Sequence, residues 1–420
     1  MNNAVASFAA AFAASMLAAT ANATVEISDV SVSQVTGTSS GDVTVAYRLS
    51  NGGEPAYVTL DVLTNGVSVG FDHIKTARGD ISQLDAHLVA DNGAAKSIVW
   101  PMRKDWPDQF LKNATVRLQA WYTNAIPPMY LVVDLSGGTA AESFPVRYTT
   151  TPPDLTSDVC RTTELWLRQC PAGTYMMSEN GNSDDTRQRV HQATLTNAFY
   201  CGVFEVTKAQ YALVMGDSAA AAARLDQAGN TAPPDGTYPM NFISVGSVRG
   251  SGDSYAGWLT DDVAAESFFG VLRAKTGLSF DLPTDAQWEY ACRAGSRGRY
   301  FFTSGTSSSG IGNNAWYNNN SQSQMHKVGL KNPNAWGLYD VHGNVGELCL
   351  DAFTTSAPGD AVTNYVQTTF NEKALLCRGG SATRADYQCS STAKYIRLAC
   401  YDATSFEVGF RVWLTIGKWR

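Results

Sequence analysis

The residues best suited to chemistry are eight cysteines, at 160, 170, 201, 292, 349, 377, 389 and 400. Two thiolates facing one another select Cu(I), because ligand and ion are both soft and polarisable. The most distinctive cysteine-bearing stretch is Cys377-Arg378-Gly379-Gly380-Ser381, with Cys389 eight residues beyond the serine. Between them stands Arg384. Its guanidinium is permanently charged and repels a metal. No C-x-x-C pair occurs, and the five histidines (73, 87, 191, 326 and 342) stand singly. Disulfides or buried thiols therefore outweigh a metal site, and Cys160 with Cys170 is one candidate local bridge. The other grouping of interest is Glu347 close to Asn344. A carboxylate beside turn carbonyls is the hard oxygen set that calcium prefers.

Composition limits the partners. Charged residues are 16% of the chain, below the roughly 25% of an average soluble protein, so Ser, Thr, Asn, Gln and Gly must supply much of the surface. The net charge of −7 and the absence of any Lys/Arg run argue against nucleic acid, whose phosphates need a basic stripe. Residues 4–19 are almost all apolar, and Ala21-Asn22-Ala23 is a small-x-small cleavage pattern. This predicts a signal peptide over 1–23 and an exported chain, periplasmic, cell-surface or extracellular, although Met1-Asn2-Asn3 lacks the usual basic residue. No later run is apolar over the ~20 residues a membrane helix requires, so no membrane span is expected after cleavage.

The elements that must position these residues fall into two textures. Residues 24–150 alternate polar and apolar positions, as in Val43-Thr44-Val45-Ala46-Tyr47 and Val116-Arg117-Leu118-Gln119-Ala120-Trp121. Period-two alternation broken by turns such as Asn51-Gly52-Gly53 and Asn65-Gly66 predicts an antiparallel β-sandwich, read as a spacer or adhesion module. Thr151-Pro152-Pro153 opens an expected linker over 151–160. From 161 to 420 Gly, Asn, Ser and Trp become dense and periodicity fades. Two capping boxes stand out, Thr207-Lys208-Ala209-Gln210 and Thr284-Asp285-Ala286-Gln287. They predict helices ending near Gly216 and Gly295, and a third is expected from 261 to 275 before Gly277. The irregular remainder must be tied down by disulfides, ions or a dense polar network.

Several blocks then occur in order: Pro171-Ala172-Gly173-Thr174-Tyr175, Phe204-Glu205-Val206-Thr207, Pro239-Met240-Asn241-Phe242, Leu282-Pro283-Thr284-Asp285-Ala286-Gln287-Trp288-Glu289, Asn334-Ala335-Trp336-Gly337-Leu338-Tyr339-Asp340, Gly343-Asn344-Val345-Gly346-Glu347, Arg378-Gly379-Gly380-Ser381 and Gly409-Phe410-Arg411. In them the chain resembles the formylglycine-generating enzymes, or sulfatase-modifying factors. The resemblance implies an irregular α+β fold of C-type-lectin type over 161–420, preceded by the all-β sandwich. It implies oxidation of a sulfatase-peptide cysteine by dioxygen at a copper ion. In that family two cysteines follow the R-G-G-S serine by three and eight residues. Here the second is Cys389 and the first is Arg384. It also implies calcium ligands at Gly343, Asn344, Val345 and Glu347, with Asn314-Ala315 resembling a second site.

Two functional readings follow. The first is an exported binding or display scaffold without copper oxidase activity, its ligand an unknown exported protein or glycan. Its surface is expected at Arg384, Asp386, Tyr387 and Tyr395, a mix of aromatic and polar groups suited to adaptable binding. Some relatives diversify this stretch through a retroelement. The alternative is the family oxidase itself, with Cys389 and Ser381 as catalytic residues and copper as cofactor.

Overall fold

Alternation in the first third builds two sheets in a computed structural model of the protein. The structure describes the chain except residues 1–12, 15–24, 35–40, 51–54, 65–66, 69–73, 75, 83–88, 106–113, 123–128, 182–188, 224, 227–228, 231–234, 251–262, 355–357, 360, 369–373, 395, 400–403 and 416–420. The chain divides into two compact units, 1–127 and 128–420.

The first unit contains β1 (Ala13–Ala14), β2 (Glu26–Gln34), β3 (Asp42–Ser50), β4 (Ala56–Thr64), β5 (Val67–Ser68), β6 (Arg78–Gly79), β7 (Ala95–Pro101) and β8 (Ala114–Tyr122). One sheet runs β2-β3-β7-β6 and the other β1-β8-β4-β5. Val43, Val45, Tyr47 and Leu49 alternate inward along β3, while Arg48 points to solvent. They share one core with Ile98 and Trp100 of β7 and with Val58, Leu60, Val62 and Val116 of the other sheet. A common core between two sheets packed face to face is a β-sandwich, as the alternation predicted. The turn signals at 51–53 and 65–66 lie outside the described residues, as does the proposed leader except for β1.

The expected boundary at 150 is corrected. β9 (Tyr130–Asp134) and β10 (Val146–Thr149) lie within the stretch read as sandwich but belong to the second unit. They pair in the order β10-β9-β11-β14-β20, where β11 is Glu164–Cys170, β14 Phe199–Gly202 and β20 Trp413–Thr415. Tyr130-Leu131-Val132-Val133 is a buried apolar run, and such a run marks a strand without saying which sheet it joins. Residues 151–160 are therefore no spacer between domains. They cross the second unit's surface, and Arg161 just beyond them donates from Nε to the Val328 carbonyl at 3.0 Å.

The second unit adds β12 (Gly173–Met177), β13 (His191–Leu195), β15 (Gly346–Ala352), β16 (Val362–Thr363), β17 (Ala374–Arg378), β18 (Ile396–Ala399) and β19 (Val408–Gly409). Two small sheets result, β12-β13-β16 and β18-β17-β15-β19. Both capping boxes form: Thr207 accepts from the Gln210 amide and Thr284 from the Gln287 amide, and each glutamine reaches back. The helices run Lys208–Met215 and Asp285–Arg293. The third spans Phe268–Thr276, capped by Ser267 and closed by Gly277 at φ 69°, a shorter helix than the expected one from 261. The architecture is α+β, strand-rich and short of helix, with long irregular connections.

What ties those connections down is a buried polar network. The seven described cysteines, all but Cys400, are buried free thiols. The candidate Cys160–Cys170 bridge is not formed: Cys160 Sγ faces the Asp154 carbonyl at 3.6 Å and Cys170 Sγ the Arg168 carbonyl at 3.7 Å. Burial pushes the thiols of Cys170, Cys292 and Cys389 up to about 12, so they are protonated and inert. In place of staples, Arg378 is fully buried and pairs with Asp285 at 2.6 Å and with Glu289. Its Nη1 also donates to the carbonyls of Ser391 and Ala393 at 3.0 and 3.1 Å. Arg293 pairs with Glu289 and donates to the Gly298 and Glu179 carbonyls. One arginine can satisfy several loop carbonyls at once because its five donors fan out in a plane.

Candidate functional site

The site is built where β17 ends. Arg378 fixes the strand end, and two glycines turn the chain. Gly379 and Gly380 have φ of +89° and +76°, a region that side chains with a Cβ avoid. A Cβ on Gly380 would lie 2.6 Å from Cys389 Sγ and 2.7 Å from its Cα. The turn is therefore closed against the Cys389 segment, and the loop 381–388 is held between the two.

Glu407, just before β19, organises that loop. Its carboxylate accepts from the Ser381 hydroxyl at 2.9 Å and the Thr383 hydroxyl at 2.6 Å. Arg384 makes a fork onto both oxygens, Nε to Oε1 at 2.7 Å and Nη2 to Oε2 at 2.6 Å. Burial alone would raise the Glu407 pKa; the hydrogen bonds from Arg384, Thr383 and Ser381 outweigh it and hold the carboxyl below its usual range. The Arg384 carbonyl accepts from the Asn318 amide, and the Ala382 carbonyl from Ser321 Oγ, so the 311–326 segment backs the loop. Asp386 Oδ1 accepts from the Tyr387 amide, and the Tyr387 side chain is half exposed. Arg384, Asp386 and Tyr387 thus share one surface loop. Tyr395 lies outside the described residues.

Ser381 and Cys389 converge less usefully for catalysis. The Ser381 side chain is committed to Glu407 and Thr383. Cys389 is fully buried, and its thiol donates to the Ser381 carbonyl at 3.6 Å. Where the resemblance requires a second thiolate, the chain presents the paired Arg384 guanidinium. This donor set does not fit Cu(I), and no catalytic step is derived through copper.

The proposed calcium residues come together, but around other partners. The Glu347 carboxylate is fully buried and forks onto Arg411, with Nη2 to Oε1 at 2.7 Å and Nε at 3.1 Å from each oxygen. Its Oε2 also accepts from Trp288 Nε1 at 2.8 Å. Asn344 donates to Glu205 Oε2 at 2.6 Å and accepts from the His326 amide, the Val345 amide donates to Glu205 Oε1, and the Gly343 amide donates to the Gly379 carbonyl. A guanidinium occupies the carboxylate that a calcium ion would need, so the residues do not fit the ion as placed. Among the described residues no group of three His, Cys, Asp or Glu side chains is arranged to hold a metal. Asn314 and Ala315 form an ordinary turn: Asn314 donates to the Gly310 carbonyl at 2.8 Å, and the Ala315 carbonyl accepts from Asn320.

Sequence reasoning passed over Glu407, Glu205 and Arg411 as partners. Arg411 stood in the Gly409-Phe410-Arg411 block, and asking which cation balances Glu347 would have found it. Burial and the nearby Asp340 and Glu347 carboxylates push the Glu205 pKa well up. Burial is also the main cause that raises Asp340 to about 6.

Comparison with known proteins fits this geometry. The sulfatase-modifying factor enzyme 1-like domain family matches residues 160–416, more than half of the chain. The chain belongs to this family. It is 30% identical over 154 residues to the formylglycine-generating enzyme of Mus musculus, covering 31% of this chain and 38% of that enzyme. It is 25% identical over 202 residues to chaperone protein LppX of Paenibacillus barcinonensis, covering 42% of this chain and 68% of that protein. Similar solved structures include Treponema denticola variable protein 1, 22% identical with a TM-score of 0.47 over 60% of this chain and 95% of that one. PvdO from Pseudomonas aeruginosa is 20% identical, with a TM-score of 0.45 over 60% and 94%. The sulfatase-modifying-factor domain thus begins eleven residues after the end of β10 and includes Arg384, Cys389 and Glu407.

Proposed function

We propose that this chain is an exported sulfatase-modifying-factor-family protein that uses the fold as a ligand-binding or display scaffold, without copper oxidase chemistry. The observation that carries the reading is the Arg384–Glu407 fork, placed where the resemblance calls for the first copper thiolate. A soft monovalent ion gains nothing from a guanidinium, and a lone buried thiol near 12 offers it no thiolate. The same fork holds Arg384, Asp386 and Tyr387 on a rigid base, and pre-ordering a loop reduces the entropy lost on binding. The partner is an exported protein or a glycan contacted by that loop. The relative whose name is chaperone protein supports a protein-binding role.

The test is a glycan microarray and an exported-peptide library probed with the wild-type chain and with Asp386→Ala/Tyr387→Ala. Ligands bound by the wild type and lost by the variant support the reading. Ligands retained by the variant, or none in either panel, overturn it. The second reading, a formylglycine-generating oxidase acting on a sulfatase peptide, is supported by the partial match to the mouse enzyme. It predicts that a C-x-P-x-R peptide loses its thiol to an aldehyde when copper and air are supplied.

A further inference from the structure

A pocket in the second unit lies apart from the Arg384 loop and shares no lining residue with 381–388. It opens where β12, β13, β15, β16 and β17 meet the start of the helix Asp285–Arg293. It encloses about 470 Å³, its open mouth included. Met177, Ala286, Val362 and Leu376 give it apolar walls, and Tyr365 adds an aromatic side chain. Apolar walls around a few polar groups are the usual make-up of a small-ligand site.

Three charged residues line it, Asp285, Asp351 and Lys394, and all are buried. Asp285 is answered twice: Lys394 Nζ donates to its Oδ2 at 2.6 Å, and Arg378 Nε lies 2.6 Å from its Oδ1. His191, on the same wall, donates from Nδ1 to the Arg189 carbonyl at 2.9 Å. Asp351 is answered differently. Its Oδ2 accepts from the Asp285 amide at 2.6 Å and its Oδ1 from the Gln367 amide at 2.7 Å. Both partners are backbone amides, and among the described residues no cation is in contact with this carboxylate. Burial, and next the Asp285 charge, raise its pKa to about 7, the behaviour of a carboxyl short of a counter-charge. A buried carboxylate becomes favourable when a cation meets it directly. Asp351 is about 2% exposed, so only a slim group reaches it past the walls. An unbranched alkyl stem ending in an ammonium has that shape: the stem lies along apolar surface and the head carries the charge.

We infer that this pocket binds a primary alkylammonium group, its nitrogen on the Asp351 carboxylate and its stem along Met177, Val362 and Leu376. The group belongs to a free small amine or to a lysine side chain of a partner, and the chemistry at the carboxylate is the same for both. The site goes beyond the scaffold reading and does not depend on it.

The test is a calorimetric titration of the full chain at pH 8 with n-butylamine, n-butanol and butyrate, which share a stem and differ in charge. Butylamine should bind at least about tenfold more tightly than the other two, because it alone supplies the missing charge. Asp351→Asn keeps the shape of the floor and should lower butylamine affinity at least about tenfold. Val362→Trp fills the wall and should abolish butylamine binding. Nα-acetyl-lysine methylamide separates the two sources: affinity at or above that of butylamine assigns the pocket to a partner's lysine, and lower affinity assigns it to a free amine. Butanol or butyrate binding as tightly as butylamine, no binding of butylamine at millimolar concentration, or an unchanged affinity in Asp351→Asn overturns the inference. Should Asp351→Asn fail to fold, the three-ligand comparison on the wild type still decides it.

Discussion

Replacing Glu347 by glutamine tests the polar network where it is most concentrated. Arg411 is about 1% exposed and places three contacts of 2.7–3.1 Å on this carboxylate. Its remaining donors reach the carbonyls of Gly202 and Tyr339, both at 2.8 Å. Without the carboxylate a buried guanidinium keeps only neutral acceptors. Breaking a buried pair from one side costs about 3–5 kcal/mol, and the glutamine oxygen recovers a little, so about 3 kcal/mol is expected. For a unit of this size each kcal/mol lowers Tm by about 2 °C, giving a loss of about 6 °C in calorimetry. Glu347→Leu combined with Arg411→Met removes both charges and should recover much of that loss, because no ion is left unpaired. The calcium reading predicts a different pattern, in which a chelator lowers Tm of the wild type and leaves Glu347→Gln unmoved. A loss below about 1 kcal/mol, or a chelator-sensitive wild type, would refute the reasoning.

Three further outcomes follow from the geometry. Gly380→Ala should lower stability by more than about 3 kcal/mol by chemical denaturation, since a left-handed backbone and a Cβ 2.6 Å from Cys389 Sγ add together. Burial, and next the Asp285 charge, raise Asp351 to about 7, above its unfolded value, so the folded state binds the extra proton. Its contribution is full at low pH and is lost as pH rises through about 7; Asp351→Asn should therefore gain on the wild type in Tm from pH 5 to pH 8, whatever constant offset the new amide brings. A thiol reagent should leave the seven described cysteines unmodified in the native chain and label them in denaturant, and reductant should not change Tm.

Much of the fold was legible because its signals are local. Thr207 with Gln210 and Thr284 with Gln287 fix their helix starts within four residues, and the alternation at Val43–Tyr47 fixes a strand and its buried face. The ordered blocks through Arg378-Gly379-Gly380-Ser381 identify the second unit. The sheet to which β9 belongs was not legible, because pairing partners are set by tertiary packing and not by period. The site was half legible for a related reason. Arg384, Asp386 and Tyr387 lie together in sequence and stay together in space. Glu407 is 23 residues away, and only the fold brings it beneath them. Glu347 was noticed as an oxygen donor without its counterion, because Arg411 lies 64 residues further on. The cysteines misled in a different way: an even count in an exported chain suggests bridges, yet each described thiol is packed as a small apolar group.

The central claim is that the fork of Arg384 and Glu407 has replaced a copper site with a rigid surface loop. The most direct measurement is an anaerobic Cu(I) titration against a chromophoric chelator, with the wild type and Cys389→Ser side by side. The account predicts that neither chain withdraws copper from the chelator and that the two curves superimpose. One equivalent of Cu(I) held by the wild type and lost in Cys389→Ser would contradict it.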